Sequence, residues 1–194
     1  MGLEEAAAAG AASVVIGPTG LIPLGGALQA YAAWVNTTWL HFFATNYVWV
    51  WATMETLHFL GLALMVGTIG VLDLRLMGFA KGLPIASVQK LVPWGVGAFV
   101  LNTVTGIVFL AGAPYQYLYN LAFQMKVIFM LAAGVNVLIF YTGIWQRAQT
   151  IGAGQSAPWA ARVAGAISLF LWIGVMYWGR MLTFFRPPFV LPPK

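Results

Sequence analysis

Four apolar runs, at residues 47–77, 92–112, 120–145 and 160–184, constrain this chain more than anything else in it. Each reaches or exceeds the ~20 residues an α-helix needs to cross ~30 Å of hydrocarbon. In lipid every backbone N–H and C=O must find its partner inside the segment, so runs of this kind become helices. Only 7% of the residues are charged, too few to cover a soluble fold of 194 residues. The expectation is an all-α integral membrane protein built as a four-helix bundle.

Ahead of the spans, residues 1–26 mix alanine with Gly17-Pro18, Gly20, Pro23 and Gly25-Gly26, and read as an irregular arm. Residues 27–45 read as an amphipathic helix lying in the membrane interface. Leu28, Tyr31, Val35, Trp39 and Phe42 share one face there, and Gln29, Asn36 and Thr37 another. The bundle then takes residues 46–185, followed by a Pro-rich tail over residues 186–194. Neither the arm nor the tail folds alone, and both suit draping over a neighbouring subunit.

Arg75, Lys81, Lys90, Arg147 and Arg162 fall in the connections between spans 1–2 and 3–4, while residues 113–120 carry no Lys or Arg. By the positive-inside rule this places both termini on the periplasmic side of a bacterial inner membrane. The net charge of +5 is spread along the loops with no basic stripe, so it sets topology and excludes nucleic acid as a partner. Glu4 and Glu5 stand where a cleavable signal would be basic, so no such signal is expected. With no cysteine, disulfides, iron–sulfur clusters and covalently attached haem are excluded; non-covalent haem is not.

Ionisable side chains inside such spans are costly, which makes them functional candidates. Glu55 and His58 are three residues apart on one helix face. His58 lies ~16 Å from the Tyr47 end of its span, and Lys126 ~9 Å from Asn120 on the third, at 1.5 Å per residue. Asn102 and Thr105 share a face of the second span, and Arg180 sits near the end of the fourth. These residues should converge in one half of the bundle. The plain alternatives are a hydrogen-bonded structural role for His58, an ion pair between Glu55 and Lys126, interhelical hydrogen bonds from Asn102 and Thr105, an interfacial cap or local pair of Asp73 and Arg75, and lipid contact for Arg180.

The redox reading makes His58 an axial ligand of haem b, with Glu55 orienting it or moving protons and Lys126 and Arg180 meeting anionic groups. Gly61 and the Gly67/Gly70 pair would let a macrocycle or a helix approach. His41 is the one other histidine; Met125, Met176 and Lys126 are further candidates for the sixth ligand. Met54 and His58, at i and i+4, instead suggest a Cu(I) site. With four acidic residues in the chain, a di-iron centre within one chain is excluded.

The run Met54-Glu55-Thr56-Leu57-His58-Phe59-Leu60-Gly61-Leu62-Ala63, then Asp73-Leu74-Arg75-Leu76-Met77-Gly78, resembles a family of bacterial inner-membrane proteins of unknown function. Pro93-Trp94, Thr105-Gly106, Asn120, Phe123, Lys126, Asn136 and Gly179-Arg180 extend the likeness over residues 45–185. The pattern includes Glu55, His58, Asp73, Arg75, Lys126 and Arg180, and not His41. In architecture the chain is also similar to haem-associated protoporphyrinogen oxidase type and copper-resistance D type membrane proteins. Whether the protein is an enzyme stays open. The leading expectation is a haem b or quinone-linked electron-transfer subunit of a larger membrane assembly. The alternatives are a cofactor-free accessory subunit, packed on other subunits or on its own copies, and a Cu(I)-handling protein.

Overall fold

The computed structural model describes residues 26–185; the arm and tail expected from the sequence lie outside them. Every regular element in this range is helical. Two short helices come first, α1 (Gly26–Asn36) and α2 (Trp39–Asn46). The long α3 (Val48–Met77) follows, then the short α4 (Ile85–Gln89), α5 (Val92–Gly112) and the short α6 (Pro114–Leu118). Next come α7 (Leu121–Ile139), a π-helical turn (Phe140–Ile144), the short α8 (Trp145–Ala148) and α9 (Trp159–Met181). The segments 48–77, 85–112, 121–148 and 159–181 are long and apolar enough to cross a membrane, so the chain is a multi-pass, four-span bundle.

The single interfacial helix expected over 27–45 is two helices. Thr38 breaks it: its extended backbone starts α2, and its hydroxyl accepts from His41 N–H. Of the apolar face expected there, Val35 is buried against the bundle and the aromatic residues face outward, where an interface-lying helix puts them. Ala32 and Val35 of α1 and Ala44 of α2 are buried, whereas Tyr31, Trp34, Trp39 and Phe42 point outward. Small residues permit close packing, and the large aromatic rings are left for the lipid interface.

For orientation, the end where α3 begins is called upper. α5 packs along α3, α3 along α9, and α9 along α7. The row stops there, because α5 and α7 scarcely meet. Without a hydrophobic drive between helices in lipid, contact depends on close backbone approach. Gly165 of α9 provides it: an added Cβ would lie 2.9 Å from Asp73 O and 3.1 Å from Leu76 Cβ.

At the lower end Gly78 stops α3 in the left-handed conformation, φ 105°. Its N–H bonds to Arg75 O at 3.2 Å and Phe79 N–H to Leu74 O at 3.0 Å, closing a Schellman motif. Arg75 does not pair with Asp73. It is fully buried, its Nε donates to Leu83 O, and its Nη2 donates to Gly152 O at 3.1 Å and Gln155 O at 3.2 Å. One guanidinium thus pins both lower loops to α3. Gly154 N–H to Lys81 O, at 2.7 Å, ties the loops to each other.

Candidate functional site

The expected convergence in the upper half is met by side chains of α3 and α5. Asn102, Thr105 and Phe109 recur at i, i+3 and i+7 on the face of α5 that meets α3, and each acts on the segment around His58. Oriented to satisfy its surroundings, the Asn102 amide donates Nδ2–H to His58 O at 2.7 Å and accepts Leu62 N–H on Oδ1 at 3.1 Å. Those are the two groups that an isolated helix would pair with each other. Asn102 therefore inserts into the hydrogen-bond ladder of α3 directly below His58. Gly61 makes room for it, since a Cβ there would come within 2.8 Å of the amide. The gap expected at Gly61 for a macrocycle is filled by this amide.

The imidazole itself is held by Thr105. His58 Nδ1 lies 2.7 Å from Thr105 Oγ1, and Phe109 presents its ring edge-on at 5.6 Å. Thr105 is 1% exposed, and its hydroxyl also reaches Leu101 O at 2.9 Å and Asn102 O at 3.1 Å. A hydroxyl has one proton; with that proton on the helix carbonyl, Oγ1 accepts and Nδ1–H donates. In that tautomer Nε2 is left with its lone pair.

The other candidates arrange themselves around this ring. Lys126 comes from α7, is close enough to act electrostatically on His58, and lays its Nζ against Gly179 of α9. Glu55 is exposed on α3 one turn above His58. It makes no direct ion pair with Lys126, so the expected neutralising pair does not form. Tyr117, on α6 at the upper surface, has its phenol pushed up to about 12, by burial first and by the Glu55 charge second. The sequence marks Tyr117 only as one of many interfacial aromatics.

The remaining candidates stand apart. Arg180 is exposed at the upper end of α9. Met54 packs with Leu40 and Phe43 against buried Ala44, Val50 and Val108, as core filler between α2, α3 and α5. His41 folds back over the bundle, its Nδ1 2.7 Å from Ala111 O. Thr105 and Ala111, the anchors of the two histidines, are six positions apart on α5. That separates them by ~9 Å along the axis and ~120° around it. No group of three or more His, Cys, Asp and Glu able to hold a metal occurs among the described residues.

Fold and site together define a class: a polytopic α-helical membrane bundle with a threonine-anchored imidazole in a polar cluster of its upper half. Comparison with protein-family models, curated proteins and solved structures finds no match to this chain.

Proposed function

We propose that the protein is a membrane-embedded, quinone-linked electron-transfer subunit of a larger bacterial inner-membrane assembly, with His58 Nε2 as the atom that meets the quinol hydroxyl. The observation that carries this reading is the anchoring of His58 Nδ1 on Thr105, whose hydroxyl also lies within hydrogen-bond reach of a carbonyl of α5. An imidazole held this way offers one fixed acceptor, and one acceptor is what a quinol hydroxyl needs. Oxidation of a quinol to a quinone releases two protons and two electrons. His58 takes the two protons in turn, Glu55 passes each toward the upper surface, and an acceptor in a partner subunit takes the two electrons. Lys126 donates to the oxygen that becomes anionic on the way.

Haem b would use the same Nε2 as an axial ligand, with Thr105 orienting the ring from behind. A bis-imidazole haem also needs His41, whose anchor on Ala111 places it along and around α5 from His58. The geometry therefore favours the quinone branch of the redox reading. A cofactor-free accessory role draws its support from Asn102 and Arg75, which spend their polar groups on holding backbone.

The test is the purified protein in detergent, assayed for co-extracted quinone and by a reduced-minus-oxidised absorption spectrum. Quinone present in wild type and lost in both His58→Ala and Thr105→Val supports the proposal. A Soret band that vanishes in His58→Ala would assign haem instead. Copper that is lost in the Met54→Leu, His58→Ala pair would assign Cu(I). Equal quinone in wild type and His58→Ala would leave an accessory subunit.

A further inference from the structure

A second polar feature lies in the opposite half of the bundle and owes nothing to His58. Between α5 and α7, where the row of packed helices stays open, a cavity of about 250 Å³ runs from mid-membrane toward the lower surface. Its walls come from all four long helices and are almost wholly apolar, with Phe99, Met130, Phe140 and Tyr141 among them. The π-helical turn supplies Phe140 and Tyr141 to this wall. Below, Gln89 Nε2 donates to Tyr141 OH at 2.7 Å and bridges the gap between α4 and the turn. Toward lipid the gap has no such bridge at Gly134, an exposed wall residue of α7 at which an added Cβ would meet nothing within 4 Å.

Two polar side chains in this wall are short of partners. Asp73 is 4% exposed, and its Oδ2 makes no hydrogen bond. Arg75, the nearest cation in sequence, turns its Nε and Nη2 to three loop carbonyls, and its Nη1 is buried without a partner. Trp172 Nε1 is likewise buried and unbonded, although its ring sits edge-on to Phe99 at 6.0 Å. One group accepts and the other donates. Ser168, another wall residue, hydrogen-bonds the Asp73 carboxyl and leaves Oδ2 open; it lies one helical turn from Trp172 on α9, a separation of ~6 Å along the axis. Leaving such groups unpaired in an apolar interior is costly.

We propose that this cavity is a binding site for a lipid-soluble molecule whose head is a single hydroxylated ring, a phenol in chemical class, entering sideways from the bilayer between α5 and α7. A hydroxyl donates and accepts at once, so it can meet the carboxyl oxygen of Asp73 and the indole N–H of Trp172. An apolar cavity of ~150 Å³ accommodates benzene, so 250 Å³ holds a substituted ring. The molecule's apolar tail then leaves past Gly134 into lipid. An ordinary aliphatic chain would fill the volume and leave both polar groups unanswered. That difference is what separates a phenol site from a lipid groove.

The experiment uses the full chain in detergent with 4-nonylphenol, and nonylbenzene as the matched probe without the hydroxyl. Binding is read by titration calorimetry and by the rise in Tm. The phenol should bind at least tenfold more tightly than nonylbenzene, and Trp172→Phe should lose most of that difference while still folding. Gly134→Leu, which fills the lateral entrance with a side chain that meets no obstacle, should abolish binding of both probes. Gly67→Leu, at an exposed glycine outside the cavity, should bind like wild type. Equal affinity for the two probes, no binding of either, or unchanged binding in Gly134→Leu would overturn the proposal. Because the probe needs no redox chemistry and no His58, failure of the electron-transfer reading leaves this result untouched.

Discussion

Thr105 has a single hydroxyl proton and two helix carbonyls within reach of it; with that proton on a carbonyl, the hydrogen bond to His58 runs from ring to hydroxyl. Thr105→Val keeps the shape and removes the acceptor. The Nδ1–H tautomer should then give way to its alternative, visible in the imidazole ¹⁵N shifts, with a stability loss of about 1 kcal/mol. Asn102 and Gly61 are coupled through the 2.8 Å approach, so Gly61→Ala should push the amide out of the α3 ladder. We expect Gly61→Ala and Asn102→Ala each to cost about 1–2 kcal/mol, and the double variant well below their sum, in a double-mutant cycle of detergent unfolding. Tyr117 gives the pH dependence. Its phenol, ordinarily near ~10, is raised to about 12 in the folded chain by burial and then by Glu55. Folding thus holds that proton more tightly than the unfolded chain does. The associated stability is complete below pH ~10 and disappears as the pH rises toward the folded value. Tyr117→Phe should flatten the fall in Tm over this alkaline window, and Glu55→Gln should move it to lower pH. The residue types at this site are legible in the sequence, because ionisable groups inside apolar runs are conspicuous. Their partners are not: that Asn102 would bond backbone, and that Met54 would turn to the α2 side, depends on helix rotation.

The element scale reads more easily. Span limits at 47–77 and 92–112 agree closely with helices Val48–Met77 and Val92–Gly112, since a bilayer-length apolar run has one way to satisfy its backbone. The end of α3 is set by Gly78 and its left-handed turn, ahead of Lys81, Gly82 and Pro84, the residues that mark the break in the sequence. The π-helical turn at Phe140–Ile144 leaves no such mark, because an extra residue in a helix changes neither hydropathy nor length enough to see. Arg75 acts between elements. Arg75→Met removes the donors to Leu83, Gly152 and Gln155 and leaves those carbonyls without their buried partner. A loss of about 3 kcal/mol or more is expected, with limited proteolysis in the 149–158 connection becoming faster than in wild type.

For the whole molecule, the basic loops at the lower end support a cytoplasmic placement with both termini outside. The chain has no cysteine, so single introduced thiols report cleanly. Ala153→Cys should react with a membrane-impermeant maleimide only in inside-out vesicles, and Phe184→Cys only in right-side-out ones; the reverse pattern inverts the topology. What the amino-acid order determined unaided is the solvent: four greasy runs with too few charges for water must become helices in a bilayer, and their limits follow from its thickness. What only the tertiary structure decided is which faces meet. Helix rotation and neighbour choice in lipid are set by close contacts such as Gly165 on Asp73 and Gly61 on Asn102. Those contacts lock the His58 ring in the upper half and leave α5 and α7 apart around Asp73 and Trp172 in the lower. Hydropathy, being nearly uniform around each helix, carries no record of either arrangement.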